Sequence, residues 1–177
     1  MIRLALTKIP MPAELPAADM TLVELEVQRA TGSVSVPADE QFQTWVEAAL
    51  TGKARHCTLA IHIVDVEEAQ RLNCDYRAKD YATNVLSFPV ELPQGLPAEL
   101  VRSQLGDLLL CAPVIAREAR EQNRSEASHW AHLTIHGVLH LLGYEHKHPG
   151  KAHVMEGLET EILAKLGFPD PYQNGLV

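Results

Sequence analysis

The sequence predicts an α/β fold of the α+β type, a single domain with a mixed sheet of about four strands packed with about five helices. Three observations carry this. A chain of 177 residues, 46% hydrophobic and 21% charged, has the composition of one ordinary globular domain able to bury a core without staples. Apolar runs of strand length are interleaved with helical patterns. No repeat and no linker-like tract divides the chain.

Each element has its own warrant. Residues 1–20, with Pro10, Pro12 and Pro16 among small and acidic residues, read as an irregular arm. Leu22 to Val27 alternates as a strand does. Pro37-Ala38-Asp39-Glu40 opens a helix that puts Phe42, Trp45, Val46 and Leu50 on one face and stops at Gly52. Cys57 to Val64 is the clearest strand, and Asp65 caps a helix from Val66 to about Tyr76. Asn84 to Pro89 is a short extended piece suited to a sheet edge. A loop with Pro93, Gly95 and Pro97 follows, the expected place of mobility. Asp107 to Cys111 is a buried strand, and Ala116 to Asn123 an exposed amphipathic helix. Ser125 and Glu126 start a helix that runs to about Leu142 and ends at Gly143. Lys151 to Leu166 is the last helix, ended by Gly167 and Pro169. The domain is thus 21–168, with a loose tail at 169–177.

Several classes are excluded or weakened. No run of ~18 uncharged apolar residues exists to span a membrane. The opening apolar run is broken by Lys8 and Pro10 too early for a signal peptide, so a cytoplasmic protein is expected. Cys57, Cys74 and Cys111 are odd in number and form no C-x-x-C; buried free thiols in a reducing compartment are the expectation. A net charge of −8 weakens non-specific nucleic-acid binding without excluding it, because the acid sits mostly toward the ends and the middle is nearly neutral.

Histidine is the anomaly: seven of nine lie between positions 129 and 153. In the penultimate helix His136 and His140 stand four apart, which projects both rings from one face. Gly143 lets the chain leave by a left-handed turn, and His146 can return toward the same point. Three imidazoles with an open position describe a catalytic zinc site, one ion per chain, rather than a cysteine-rich structural one. His132 is also four residues from His136, so either pair is open on spacing alone; the Gly143 turn favours His136 with His140. His129, His132, His148 and His153 are read as surface or supporting groups. The H-x-x-x-H-x-x-G-x-x-H spacing makes this a metzincin-like His-rich helix. The general-base Glu of H-E-x-x-H is replaced by Gly137, so hydrolysis of something other than a peptide is the sharper expectation, unless Glu145 or another carboxylate serves.

A second polar block, Leu72 to Pro89, carries Arg77 and Lys79, which could hold phosphate oxygens. The plain alternative pairs Arg77 with Asp75 or Asp80 at the surface. Ser87, on the edge strand, is free to donate to a bound chain.

Three blocks, Leu72-Asn73 to Phe88-Pro89, Leu105 to Cys111 and His136 to His146, with the trailing Met155-Glu156-Gly157-Leu158-Glu159, make the chain similar to the YbeY family of single-domain metal-dependent endoribonucleases. The resemblance spans roughly residues 55 to 167. It implies that His136, His140 and His146 bind zinc, that Arg77 is a functionally required arginine, and that the substrate is single-stranded ribosomal RNA, notably the 3′ end of the 16S RNA. It further implies ribosome quality control, with the small ribosomal subunit and its assembly factors as partners, no membrane and no organic cofactor. His136 and Arg77 are then the catalytic expectation and Lys79 and Ser87 the substrate-binding one. Other divalent transition metals suit three imidazoles as well. Glu145 stands where the family commonly shows Asp.

Overall fold

Alternation along the strands decides which side of the sheet each helix covers. The computed structural model describes residues 22–32, 35–53, 56–91, 95 and 104–173. Within them lie β1 (Leu22–Ala30), α1 (Asp39–Leu50), β2 (His56–Val64), α2 (Val66–Arg77), β3 (Val85–Pro89), β4 (Gln104–Cys111), α3 (Ala112–Glu121), α4 (Glu126–Leu141) and α5 (Pro149–Lys165). The sheet order is β1-β2-β4-β3. β1, β2 and β4 are parallel, and β3 lies antiparallel to β4 at the edge, where its shortness suits it.

In β4 the two faces separate residue by residue. Leu108 and Leu110 join Phe42, Trp45 and Leu50 of α1 and Ile135, Val138 and Leu139 of α4 in the main core. Leu109 and Cys111 turn the other way, toward Ala69 and Leu72 of α2. Burial on both faces explains why this strand reads as a continuous apolar run. In β1 the pattern is one-sided, with Val23 buried and Glu24, Glu26 and Gln28 exposed. Phe42 meets Trp45 and Trp130 edge-to-face, at centroid distances of 5.5 and 5.8 Å, which fixes α4 against α1.

Three expectations need correction. α3 begins at Ala112 rather than Ala116 and is not simply exposed, since Val114, Ile115, Ala116 and Ala119 are buried. Pro113 falls in the first helical turn, where its missing N–H costs nothing; read as a break, it hides the start. Cys57 and Cys111 are buried, but Cys74 is exposed on α2. Residues 169–173 are held rather than loose: Asp170 accepts from the Thr160 hydroxyl at 3.1 Å and from the Tyr172 N–H at 2.9 Å, and Arg124 donates to the Pro171 carbonyl. The arm at 1–20 and most of the loop around Gly95 lie outside the described residues, as does 174–177.

Candidate metal centre

α4 starts on a true cap, the Ser125 hydroxyl accepting from the Ser128 N–H at 3.2 Å. It ends in a paired turn: the Tyr144 N–H reaches the Leu139 carbonyl at 3.0 Å and the Gly143 N–H reaches that of His140 at 2.9 Å, a Schellman motif. Gly143 occupies φ +90°, a conformation a side chain resists. This corner turns the chain back so that His146 faces the two helical histidines.

The three rings converge. Centroid separations are 4.5 Å for His136–His140, 5.4 Å for His136–His146 and 4.9 Å for His140–His146. One ligand atom from each lies within 4.8 Å of the others. His132 is not part of this set; its Nε2 is 2.9 Å from Glu159 Oε2, and His132, His136 and Glu159 form a second group whose ligand atoms lie within 4.8 Å of one another.

The residues fit a metal on a test of tautomers. His140 Nδ1 donates to the Tyr144 carbonyl at 2.9 Å, and a carbonyl can only accept. His136 Nδ1 lies 2.8 Å from Glu159 Oε1. Burial works to raise the Glu159 carboxyl, but hydrogen bonds from His132 and His136 outweigh it and hold the pKa down to about 2. An ionised carboxylate also only accepts. Both Nδ1 atoms therefore carry protons, which leaves the two Nε2 atoms, 3.1 Å apart, as the positions from which the rings would hold a metal. A proton on one of the two nitrogens or a metal ion between them satisfies such an approach. Tetrahedral zinc with bonds of about 2.0–2.1 Å would set the nitrogens about 3.3 Å apart. Burial first, then the neighbouring His136, depress His140 to about 4, keeping it a neutral ligand at pH 7.

Around the histidines is a hollow of about 410 Å³ lined by Asn84, Val85, His132, His136, His146, Glu159 and Tyr172 among others. Glu118 braces its rim, accepting from Asn84 Nδ2 at 2.9 Å and from His129 Nε2 at 2.8 Å. His129 is thus a buried bracing residue rather than a surface one. Glu145 is turned to Lys151, 3.0 Å away.

Arg77 is elsewhere. As the last residue of α2 it lines a cleft of about 940 Å³ with Tyr76, His62, Leu86, Phe88 and Asp107 among others. α2 packs on the Leu86–Phe88 side of β3, with the Tyr76 and Phe88 rings 4.7 Å apart, whereas Val85 faces α4. Arg77 and the histidines thus flank β3 from opposite sides. The surface pairing of Arg77 is not formed: Asp75 faces Arg71 at 3.6 Å and Asp80 accepts from Gln70 at 2.9 Å. Lys79 is exposed in the turn beyond α2 and lines neither hollow. Ser87 is not free to donate outward, because its hydroxyl bonds the Gly137 carbonyl at 3.1 Å.

Sequence reading did not single out Glu159 as a site residue. The signal was present: Met155, Glu159, Ile162 and Leu163 form the buried stripe of α5, and a carboxylate on an apolar stripe needs partners.

Fold and site together define an α/β protein with a three-histidine candidate metal centre at a helix corner. The model of the family described as "Endoribonuclease YbeY" matches residues 26–167. A protein of that name from Stenotrophomonas maltophilia (strain K279a) is 53% identical over 150 residues, covering 85% of this chain and 93% of that protein. Another, from Halorhodospira halophila, is 53% identical over 155 residues, covering 88% and 99%. The chain belongs to the YbeY endoribonuclease family. A solution structure from Thermotoga maritima shares the fold, with a TM-score of 0.52 at 19% identity over 85% of this chain and 99% of that one.

Proposed function

We propose that this protein is a cytoplasmic zinc-dependent endoribonuclease that cuts single-stranded segments of ribosomal RNA. Its task is maturation of the 16S 3′ end and ribosome quality control, with the small ribosomal subunit and its assembly factors as partners. The observation that carries the reading is the convergence of His136, His140 and His146, with the Nε2 atoms of the first two 3.1 Å apart, beside an open hollow. A divalent ion held there supplies Lewis-acid chemistry at a phosphate and lowers the pKa of water. Every other part belongs to the chain. Glu159 and the Tyr144 carbonyl hold the Nδ1 protons of His136 and His140, which fixes both rings. Arg77, unpaired among the described residues and in the adjoining cleft, neutralises a phosphate of the strand crossing the edge at β3. Lys79 is an outlying cation for the same backbone.

Replacing His136 by Ala should abolish both bound zinc, read by elemental analysis, and cleavage of ribosomal RNA. Arg77→Ala should keep zinc and fold while cleavage weakens. Full-rate cutting by zinc-free protein would end this reading.

A peptidase with metzincin-like spacing is the rival, and Gly137 counts against it. A Cβ there would lie 2.8 Å from Leu108 Cδ2 and 3.3 Å from Val85 Cγ2, so a side chain at that position points into the sheet and away from the histidines. A peptide panel with and without chelator tests this directly.

A further inference from the structure

The chain beyond α5 is tied down residue by residue. The Phe168 N–H caps α5 on the Leu163 carbonyl at 2.9 Å, and its ring meets Trp45 at 6.3 Å. Asp170 bonds Thr160 of α5. Buried Pro171 is gripped through its carbonyl by Arg124, from the turn before α4. These anchors deliver Tyr172 to the rim of the histidine hollow, where its hydroxyl donates to Glu159 Oε2 and its ring stands edge-on to His132, 5.6 Å away. Tyr172 is 42% exposed, yet Glu159 beneath it is 0% exposed. The matched family model ends at residue 167, just before this segment.

A buried carboxylate depends on the number and aim of its donors. Glu159 has three, and two of them, His132 and His136, come from α4. The third comes from the tail. Without it Oε2 opens to water, and the carboxylate gains freedom to turn away from His136 Nδ1. We infer that Phe168–Tyr172 is a clasp on the metal centre, in which Tyr172 is a positioning residue that aims Glu159 and thereby the imidazole of His136. The clasp rests on reading the three histidines as a metal site. It makes metal retention depend on a segment that touches none of the three rings.

The test uses the full chain, stripped of metal and titrated with Zn²⁺ against a chromogenic chelator. Wild type should take up one equivalent. Tyr172→Ala should bind Zn²⁺ about tenfold more weakly, the low end of what outer supporting partners of a metal ligand contribute, and release it correspondingly faster. Tyr172→Phe, which keeps the ring, should fall between. Arg124→Gln, which only frees the tail, should shift affinity in the same direction. Melting with and without Zn²⁺ separates a clasp from a plain structural peg. A clasp shrinks the Zn²⁺-induced rise in Tm, whereas a peg lowers both values equally and leaves the rise intact. If Tyr172→Ala does not fold, Tyr172→Phe and Arg124→Gln carry the comparison. Wild-type Zn²⁺ affinity and release in all folded variants would overturn the clasp alone. Failure of wild type to take up Zn²⁺ would overturn the metal reading and the clasp with it.

Discussion

His140 shows what a metal-poised imidazole costs the metal-free protein. Its pKa of about 4 lies below the ordinary 6.5, so the unfolded chain takes up this proton first as the pH falls. The stability concerned is complete above about pH 6.5 and is lost on the way down to about 4. Glu159 continues the trend: a carboxyl held at about 2 against 4.5 contributes stability above 4.5 that disappears as the pH falls toward 2. Urea midpoints of the chelated protein should therefore decline from pH 6.5 downward; a flat profile between pH 7 and 4.5 would contradict the assignment. Glu159→Gln is the companion test. Its amide presents N–H to donors, leaving a buried group unsatisfied. We expect a loss of about 1–3 kcal/mol in folding stability and of about 10- to 100-fold in zinc affinity, read by melting and chelator competition.

At the scale of elements, the contact between α4 and the sheet decides the site. Gly137 lets the helix backbone come down on Leu108 and Val85, while Ser87 of β3 pins the same turn through the Gly137 carbonyl. Gly137→Ala gains about 1 kcal/mol of helix propensity but overpacks a closed core by about 1–3 kcal/mol. A net lower Tm is the expected outcome, and an unchanged or raised Tm would show that Leu108 yields freely. At this scale the sequence was also most readable. Alternation located β1 and β2, and the Ser125 cap with Gly143 bounded α4 to within a residue. The pairing of His136 with His140 and His146 followed from helix periodicity plus the glycine corner. What escaped is long-range: α5 brings Glu159 under α4, from 23 residues away along the chain from His136, and no local pattern encodes that approach. Arg77 was readable from the residues only as one of two cations in a polar block, and its place on the far side of β3 depends on which sheet face α2 covers.

For the whole molecule, the question is whether the centre holds the fold or the fold holds the centre. The largest fully buried side chains include Trp130, Phe42, Leu50, Ile61, Leu108 and Ile135. These join α1, α4 and the sheet away from the histidine hollow, which of the largest fully buried side chains only Met155 lines. The histidines sit at the margin, where the C-terminal corner of α4 meets α5. A chain of this length buries a core sufficient to fold without a metal clip, unlike a zinc finger, whose folding free energy is its binding free energy. Chelation should therefore leave the far-UV circular dichroism of a folded α/β protein while stopping RNA cleavage. Restored Zn²⁺ at about 100 times its Kd adds roughly 2.7 kcal/mol by mass action, equivalent to about 5–10 °C in Tm for a domain of this size. If chelation instead unfolds the protein outright, the metal is a structural clip and the nuclease reading loses its main support. A folded, inactive apoprotein that regains both its Tm and its cleavage with one equivalent of Zn²⁺ would place the histidines as a working centre carried by an independent scaffold.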